Sequence, residues 1–209
     1  MIELFEKGED IHKLTALAIF NPPDRKITEK MRELAKTLNY GVLYGISPKG
    51  FAQRADISLE EAKEFMEKYF EKFPQLLNFF KEQIKRAKTK GYVETYFGRR
   101  KFLPEINSID LRLRSQAERI ARNFPIQGTA ADICKIAMVE IAKRNILDEN
   151  CKLVLQIHDE LLFEVKETQV EEKGKRIKEI MQNVIKMKPV LEVEVKKGKR
   201  WGDLQSFLE

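Results

Sequence analysis

Apolar residues recur at helical spacing through most of the first half of the chain and give way to strand-like runs in the last third. A helix is expected over residues 2–20, ended by Asn21-Pro22-Pro23, because proline cannot continue a helix interior. Thr28 reads as the N-cap of a second helix, with apolar positions at Met31, Leu34, Ala35, Leu38 and Val42. Ser58-Leu59-Glu60-Glu61 is a capping box that opens a helix toward Phe73. Pro74 begins another, which Gly91 stops after Lys90. Residues 92–96 and 101–103, joined through Gly98-Arg99-Arg100, read as a short hairpin with a basic turn. Helical periodicity resumes over residues 111–144, with an interruption expected near Pro125 and Gly128. Two apolar runs, residues 153–157 and 161–165, then meet at the acidic turn His158-Asp159-Glu160. A helix over residues 168–187 and a strand over residues 190–195 complete the pattern. The order describes an α+β chain, a mostly helical lobe followed by an antiparallel sheet backed by helices.

At 209 residues the chain is long enough to bury a substantial core. Its 39 Lys and Arg against 33 Asp and Glu give a formal net charge of +6, which suits a polyanionic partner without identifying one. Charged residues make up 34% of the chain against about 25% in typical domains, and the excess of Lys and Glu fits a heat-adapted source. Cys134 and Cys151 form neither a metal-ligand spacing nor a disulfide framework, which points to a reduced, cytoplasmic setting. No apolar run reaches membrane-spanning length and no signal-peptide pattern opens the chain, so no membrane partner is expected.

Three segments carry candidate chemistry. The acidic turn pushes carboxylates to the rim of a hairpin, where hard oxygen ligands can hold a divalent cation for phosphoryl transfer. Acidic residues also occupy hairpin turns for solubility alone. On the second helix, Arg32, Lys36 and Tyr40 recur every four residues and form one stripe, which Tyr44 extends if the helix persists. Two cations followed by aromatic rings match a triphosphate at one end and a sugar or base at the other. The alternative is a solvated basic face with two core tyrosines. Gly41, inside that helix, suggests close approach of another body. In the third segment, Asn123 and Gln127 lie one helical turn apart if the backbone stays helical across Pro125. Such amides can donate to the minor-groove acceptors common to all base pairs. The same stretch also reads as a capped helix start with Ala130 and Ala131 allowing tight packing.

Lys36-Thr37-Leu38-Asn39-Tyr40-Gly41-Val42-Leu43-Tyr44-Gly45 resembles the fingers-helix motif B of family A DNA polymerases, the bacterial DNA polymerase I type. Gln156-Ile157-His158-Asp159-Glu160 resembles the palm motif C of that family. The run from Asn123 to Asp132, and Gly91-Tyr92-Val93-Glu94-Thr95 with Phe97-Gly98-Arg99-Arg100, resemble two further family segments. The resemblance implies a fingers subdomain over residues 1–90 and a partial palm over residues 91–209. It implies that Arg32, Lys36 and His12 hold the triphosphate of an incoming deoxynucleotide, that Tyr40 packs beside its sugar and base, and that Tyr44 takes the template-side stacking position. Arg119, Asn123 and Gln127 would follow the primer–template minor groove, and His158 would approach the primer terminus. Asp159 would be a metal ligand and Glu160 an auxiliary acid; with Lys36 these form the implied catalytic set. A phenol at position 40 further implies easy incorporation of dideoxynucleotides, which a Tyr40→Phe variant with unchanged discrimination would refute.

The family's motif A, an Asp-Tyr-Ser-x-x-Glu-like strand, is expected upstream of the His12 region and is not seen in the sequence. It would supply a second aspartate for the two Mg²⁺ ions and the glutamate that excludes ribonucleotides. Two such ions about 3.5–4 Å apart repel by roughly 15–20 kcal/mol at an effective dielectric of 20, so Asp159 and Glu160 alone make an incomplete cage. Little polymerase activity is therefore expected without a second polypeptide carrying motif A and the thumb, and the palm sheet is expected to show an unpaired edge. A non-enzymatic nucleic-acid-binding module, a degenerate remnant and a metal-dependent nuclease are the competing readings.

Overall fold

A computed structural model describes residues 9–208. Its architecture is α+β, as expected from the pattern, and divides into two compact units, one through Gly128 and the other from Thr129. The boundary differs from the expected fingers–palm division after Lys90 because it marks where the chain is compact.

Unit 1 is built from helices α1 (Ile11–Phe20), α2 (Glu29–Leu43), α3 (Pro48–Ala55), α4 (Leu59–Lys72) and α5 (Pro74–Lys90), the antiparallel pair β1 (Tyr92–Glu94) and β2 (Arg100–Phe102), and the first part of α6 (Leu111–Lys143). The local signals set most of these bounds. Thr28 Oγ1 accepts from Met31 N at 3.2 Å, and the Ser58–Glu61 capping box closes in both directions. Gly91 ends α5 in the left-handed conformation, φ +76°. The first helix differs from expectation: Asp10 is its N-cap, in extended backbone, so the described helix starts at Ile11 rather than running through from residue 2. The part of that expectation over residues 1–8 lies outside the described residues. One core joins Ile19, Leu38, Val42, Phe51, Tyr69 and Phe80; a second joins Ala87, Val93, Leu103, Ile106, Ala117 and Ala121.

The interruption expected near Pro125 does not occur, and α6 continues through it. Proline forgoes one backbone bond and crowds the preceding turn, a cost of about 3 kcal/mol. Its neighbours Phe124 and Ile126 each pack against a hydrophobic core, and burial of two such side chains offsets a penalty of that size.

In unit 2, β3 (Cys151–Ile157) pairs antiparallel with β4 (Glu160–Val165), with a register shift between Leu153 and Leu155. Ile141 of α6 and Ile177 and Ile180 of α7 (Val170–Asn183) back this hairpin through Cys151, Leu161, Phe163 and Val165. The last helix is thus shorter than the expected 168–187, being preceded by a 3₁₀ turn at Glu167–Gln169. Lys173, 5% exposed, fixes the α6–β3 connection by donating to Ile146 O at 2.9 Å and Asp148 Oδ2 at 2.6 Å.

The strand expected over residues 190–195 is not formed. Its alternation is real, since Leu191, Val193 and Val195 are half-buried while Val190, Glu192 and Glu194 are exposed. A strand also needs a ladder partner, and among the described residues the β3–β4 sheet stops at two strands. Pairing resumes only at β5 (Lys196–Lys197) with β6 (Gln205–Ser206). Between β4 and residues 192–198 lies a groove of about 470 Å³, floored by Phe163, Ile177, Met181 and Phe207.

Candidate functional site

Side chains of α1, its N-cap and α2 come together. Asp10 caps α1 by accepting from His12 N at 2.9 Å and Lys13 N at 3.2 Å, and its other oxygen accepts from Arg32 Nε at 2.8 Å. Arg32 also meets Glu29 at 3.4 Å and Glu33 at 3.6 Å, and Lys36 meets Glu33 at 3.9 Å. The Arg32 hydrogen bond holds the Asp10 carboxyl below its ordinary range, and Asp10 in turn raises Arg32. His12 lies 5.6 Å, centroid to centroid, from the Tyr40 ring.

A buried polar network sets the imidazole. Asn39 Nδ2 donates to His12 Nδ1 at 3.0 Å and to Thr15 Oγ1 at 3.1 Å, while Thr15 Oγ1 donates to Asn39 Oδ1 at 3.3 Å. An amide donor can face Nδ1 only if that nitrogen is the acceptor, which leaves the proton on Nε2. Burial first, then the charges of Arg32 and Lys36, keeps His12 below its ordinary pKa against the opposing pull of Asp10, so the neutral ring is favoured. The result is an N–H donor beside two cations and an aromatic ring. Asp10, Thr15 and Asn39 were missed in the sequence; Asn39 sits inside motif B, and a buried amide on an otherwise apolar helix face was the available signal.

Tyr40 and Tyr44 are 52% and 57% exposed, so neither is a core tyrosine. The α2 helix ends at Leu43, leaving Tyr44 as its C-cap rather than a further turn of the stripe. The body that approaches Gly41 is the chain itself: a Cβ there would meet Ile46 Cγ2 at 2.8 Å. Gly45 adopts φ +67° and lies against the Arg119 stem, where a Cβ would meet Cγ at 3.0 Å.

Arg119, Asn123 and Gln127 follow one another at four-residue spacing on the unbroken α6. Arg119 and Gln127 are exposed, whereas Asn123 donates to Leu43 O at 3.0 Å and ties α6 to the end of α2. Gly128 admits the β1–β2 hairpin, because a Cβ there would meet Thr95 Cγ2 at 2.6 Å.

In unit 2 the hairpin turn is tighter than the expected three residues. Ile157 pairs with Glu160, leaving His158-Asp159 as a two-residue loop with His158 at φ +51°, and Gln156 Nε2 braces it by donating to His158 O at 2.7 Å. His158, Asp159 and Glu160 are exposed, and the two acids both line the groove beside β4. The Cys134 thiol is pushed up by burial and, second, by the Asp159 charge. Two exposed carboxylates suit a hard cation such as Mg²⁺ as donors. Among the described residues no group of three or more His, Cys, Asp or Glu side chains is placed to hold a metal ion.

Comparison with known proteins gives a consistent answer. The family model for DNA polymerase family A matches residues 1–203. The thermostable DNA polymerase I of Thermus filiformis is 43% identical over 95% of this chain, and DNA polymerase I of Geobacillus stearothermophilus is 41% identical over 97%. The chain spans only 24% and 23% of those two proteins. Among solved structures, the POL domain of Pol1 from M. smegmatis, in complex with DNA primer-template and dNTP, matches 89% of this chain with a TM-score of 0.79 and 40% identity; 33% of that chain is covered. The chain belongs to DNA polymerase family A.

Proposed function

We propose that this chain is the nucleotide-binding and partial catalytic portion of a DNA-directed DNA polymerase. The observation that carries the reading is the cluster of His12, Arg32, Lys36 and Tyr40, which puts an N–H donor and two cations beside an exposed ring. Arg32 and Lys36 hold the triphosphate, His12 Nε2 donates to a phosphate oxygen, and Tyr40 lies against the sugar and base. Residues 1–90 then act as fingers and residues 91–209 as palm. Tyr44 stacks on the template side, and Arg119 and Gln127 follow the primer–template minor groove. Asn123 serves there by holding the end of α2, or by exchanging Leu43 O for a base edge when DNA binds. His158 approaches the primer terminus.

Asp159 would hold Mg²⁺, with Glu160 beside it; the metal would supply charge stabilisation for nucleotidyl transfer. The donor set needs another carboxylate for a two-ion site. The groove between β4 and residues 192–198 suits the strand that brings it: among the described residues β4 pairs on one edge only, and residues 190–194 alternate in burial like a strand. A polypeptide carrying motif A and the thumb would fill this need.

Titration of the protein with a fluorescent deoxynucleoside triphosphate and with primer–template tests the reading. Saturable triphosphate binding that weakens in Lys36→Ala supports it. Salt-sensitive duplex binding with no triphosphate site would leave a non-enzymatic nucleic-acid-binding module instead.

A further inference from the structure

Residues 196–203 of unit 2 belong to neither the triphosphate cluster nor the α6 stripe. They read Lys-Lys-Gly-Lys-Arg-Trp-Gly-Asp, four cations against one acid, and include the only tryptophan of the chain. They form β5 and the turn that leads to β6, and all of them are exposed, Trp201 at 54%. Lys196, Lys197 and Gly198 line the β4 groove, whereas Lys199, Arg200 and Trp201 do not.

The base of this hairpin is pinned. Lys196 lies in register with Ser206 and Lys197 with Gln205, and Phe207 N extends the ladder by donating to Val195 O at 2.7 Å. Lys196 Nζ meets the Glu194 carboxylate at 3.1 Å, and Ser206 Oγ donates to it at 2.7 Å. Lys197 Nζ sits 3.8 Å from the centroid of the Phe207 ring. Gly198 lets the two arms touch, since a Cβ there would meet Asp203 O at 2.7 Å. Asp203 N donates to Arg200 O at 3.0 Å and closes a 3₁₀ turn over Trp201–Asp203. The tip is thus a preformed turn.

Two of the four cations are engaged at that base, and the other two are not. Among the described residues neither Lys199 nor Arg200 lies within ion-pair distance of a carboxylate. Trp201 follows them directly. An indole fixed in a tight turn beside two unneutralised cations offers a base a stacking face and offers the flanking phosphates their counter-charges. A lipid surface would use the same charges but calls for apolar neighbours around the indole, and Gly202 and Asp203 follow it instead.

We propose that the Lys199-Arg200-Trp201 turn is a separate binding site for single-stranded polynucleotide, with a base stacked on Trp201 and phosphates on Lys199 and Arg200. The site lies beyond the polymerase reading and does not depend on it.

Trp201 fluorescence reports on this turn alone, because the chain has no other tryptophan. Titration with short oligo(dT) across a salt series should give saturable quenching. In the Lys199→Gln/Arg200→Gln variant the slope of log affinity against log salt should fall by about 1.4, two contacts at about 0.7 each, and affinity by roughly 25-fold at about 0.1 M salt. Both positions are exposed, so the circular dichroism spectrum should not change. Quenching by oligo(dT) or by oligo(U) supports the site, and their ratio tells DNA from RNA as the source. Oligo(dT) that binds, seen by anisotropy of an attached label, yet leaves Trp201 fluorescence unchanged would overturn this site and leave the polymerase reading standing. Equal quenching by inorganic polyphosphate, which has no base to stack, would also overturn it. So would a response to phosphatidylserine-containing vesicles alone, which would make the turn a membrane contact.

Discussion

Replacing Asn39 by alanine probes whether the buried amide organises the triphosphate cluster. Thr15 is fully buried and Asn39 is 8% exposed, so their two mutual hydrogen bonds are shielded from water. Truncation at Asn39 strands the Thr15 hydroxyl in a dry site, at about 1–3 kcal/mol. Thr15→Val removes the hydroxyl at nearly constant volume and leaves an amide oxygen unmet, about 1–2 kcal/mol. With both changes the stranded groups are gone, so the double variant should be destabilised by about 1–2 kcal/mol less than the sum of the singles. Urea unfolding of the four proteins, followed by far-ultraviolet circular dichroism, gives that coupling directly. Additivity to within about 0.5 kcal/mol would refute the network. The imidazole offers a second readout. Asn39 stabilises the neutral ring by donating to Nδ1, so in Asn39→Ala the His12 titration followed by NMR should move up toward its ordinary value of 6.5.

Three further outcomes follow from other contacts. Asp10→Asn keeps a competent N-cap but removes the charge that competes for Arg32, so triphosphate affinity should rise by up to about fivefold in a fluorescence titration; an unchanged or weaker affinity counts against Arg32 as a phosphate ligand. Gly45→Ala must hold alanine at φ +67° and push the Arg119 stem, so it should lower stability by about 1–2 kcal/mol in a thermal melt; a neutral result would mean that the turn relaxes freely. Lys173→Met removes the hydrogen bond that keeps Asp148 below its ordinary value of 3.8. A depressed carboxylate contributes stability above that value and loses it as pH falls through the lower, folded-state value. The stability gap between the two proteins should therefore be full at neutral pH and shrink in acid; a gap that does not change with pH would remove Asp148 from the account.

Local chemistry was legible and long-range pairing was not. Thr28, Ser58 with Glu61, Pro74 and Gly91 act within one helical turn, so their effects could be read from neighbours in sequence. The segment over residues 190–195 kept its alternating burial, but strand formation depends on a partner that periodicity cannot supply. Pro125 shows the opposite case, where burial of Phe124 and Ile126 overrides a local rule. The stripe of Arg32, Lys36 and Tyr40 was visible as a repeat of four. Its link to His12 runs through Asn39 and Thr15, which are 24 residues apart, and the capping Asp10 lies 22 residues from Arg32.

The central proposal is that Arg32 and Lys36 bind a nucleoside triphosphate whose transfer depends on the Asp159 carboxylate. Primer extension measures this most directly, with the protein alone, with a separately made polypeptide carrying motif A and the thumb, and with that polypeptide plus an Asp159→Ala variant. If this proposal holds, templated DNA synthesis occurs only in the mixture, is abolished by Asp159→Ala and is strongly reduced by Lys36→Ala. Synthesis that persists in the mixture without the Asp159 carboxylate would contradict it.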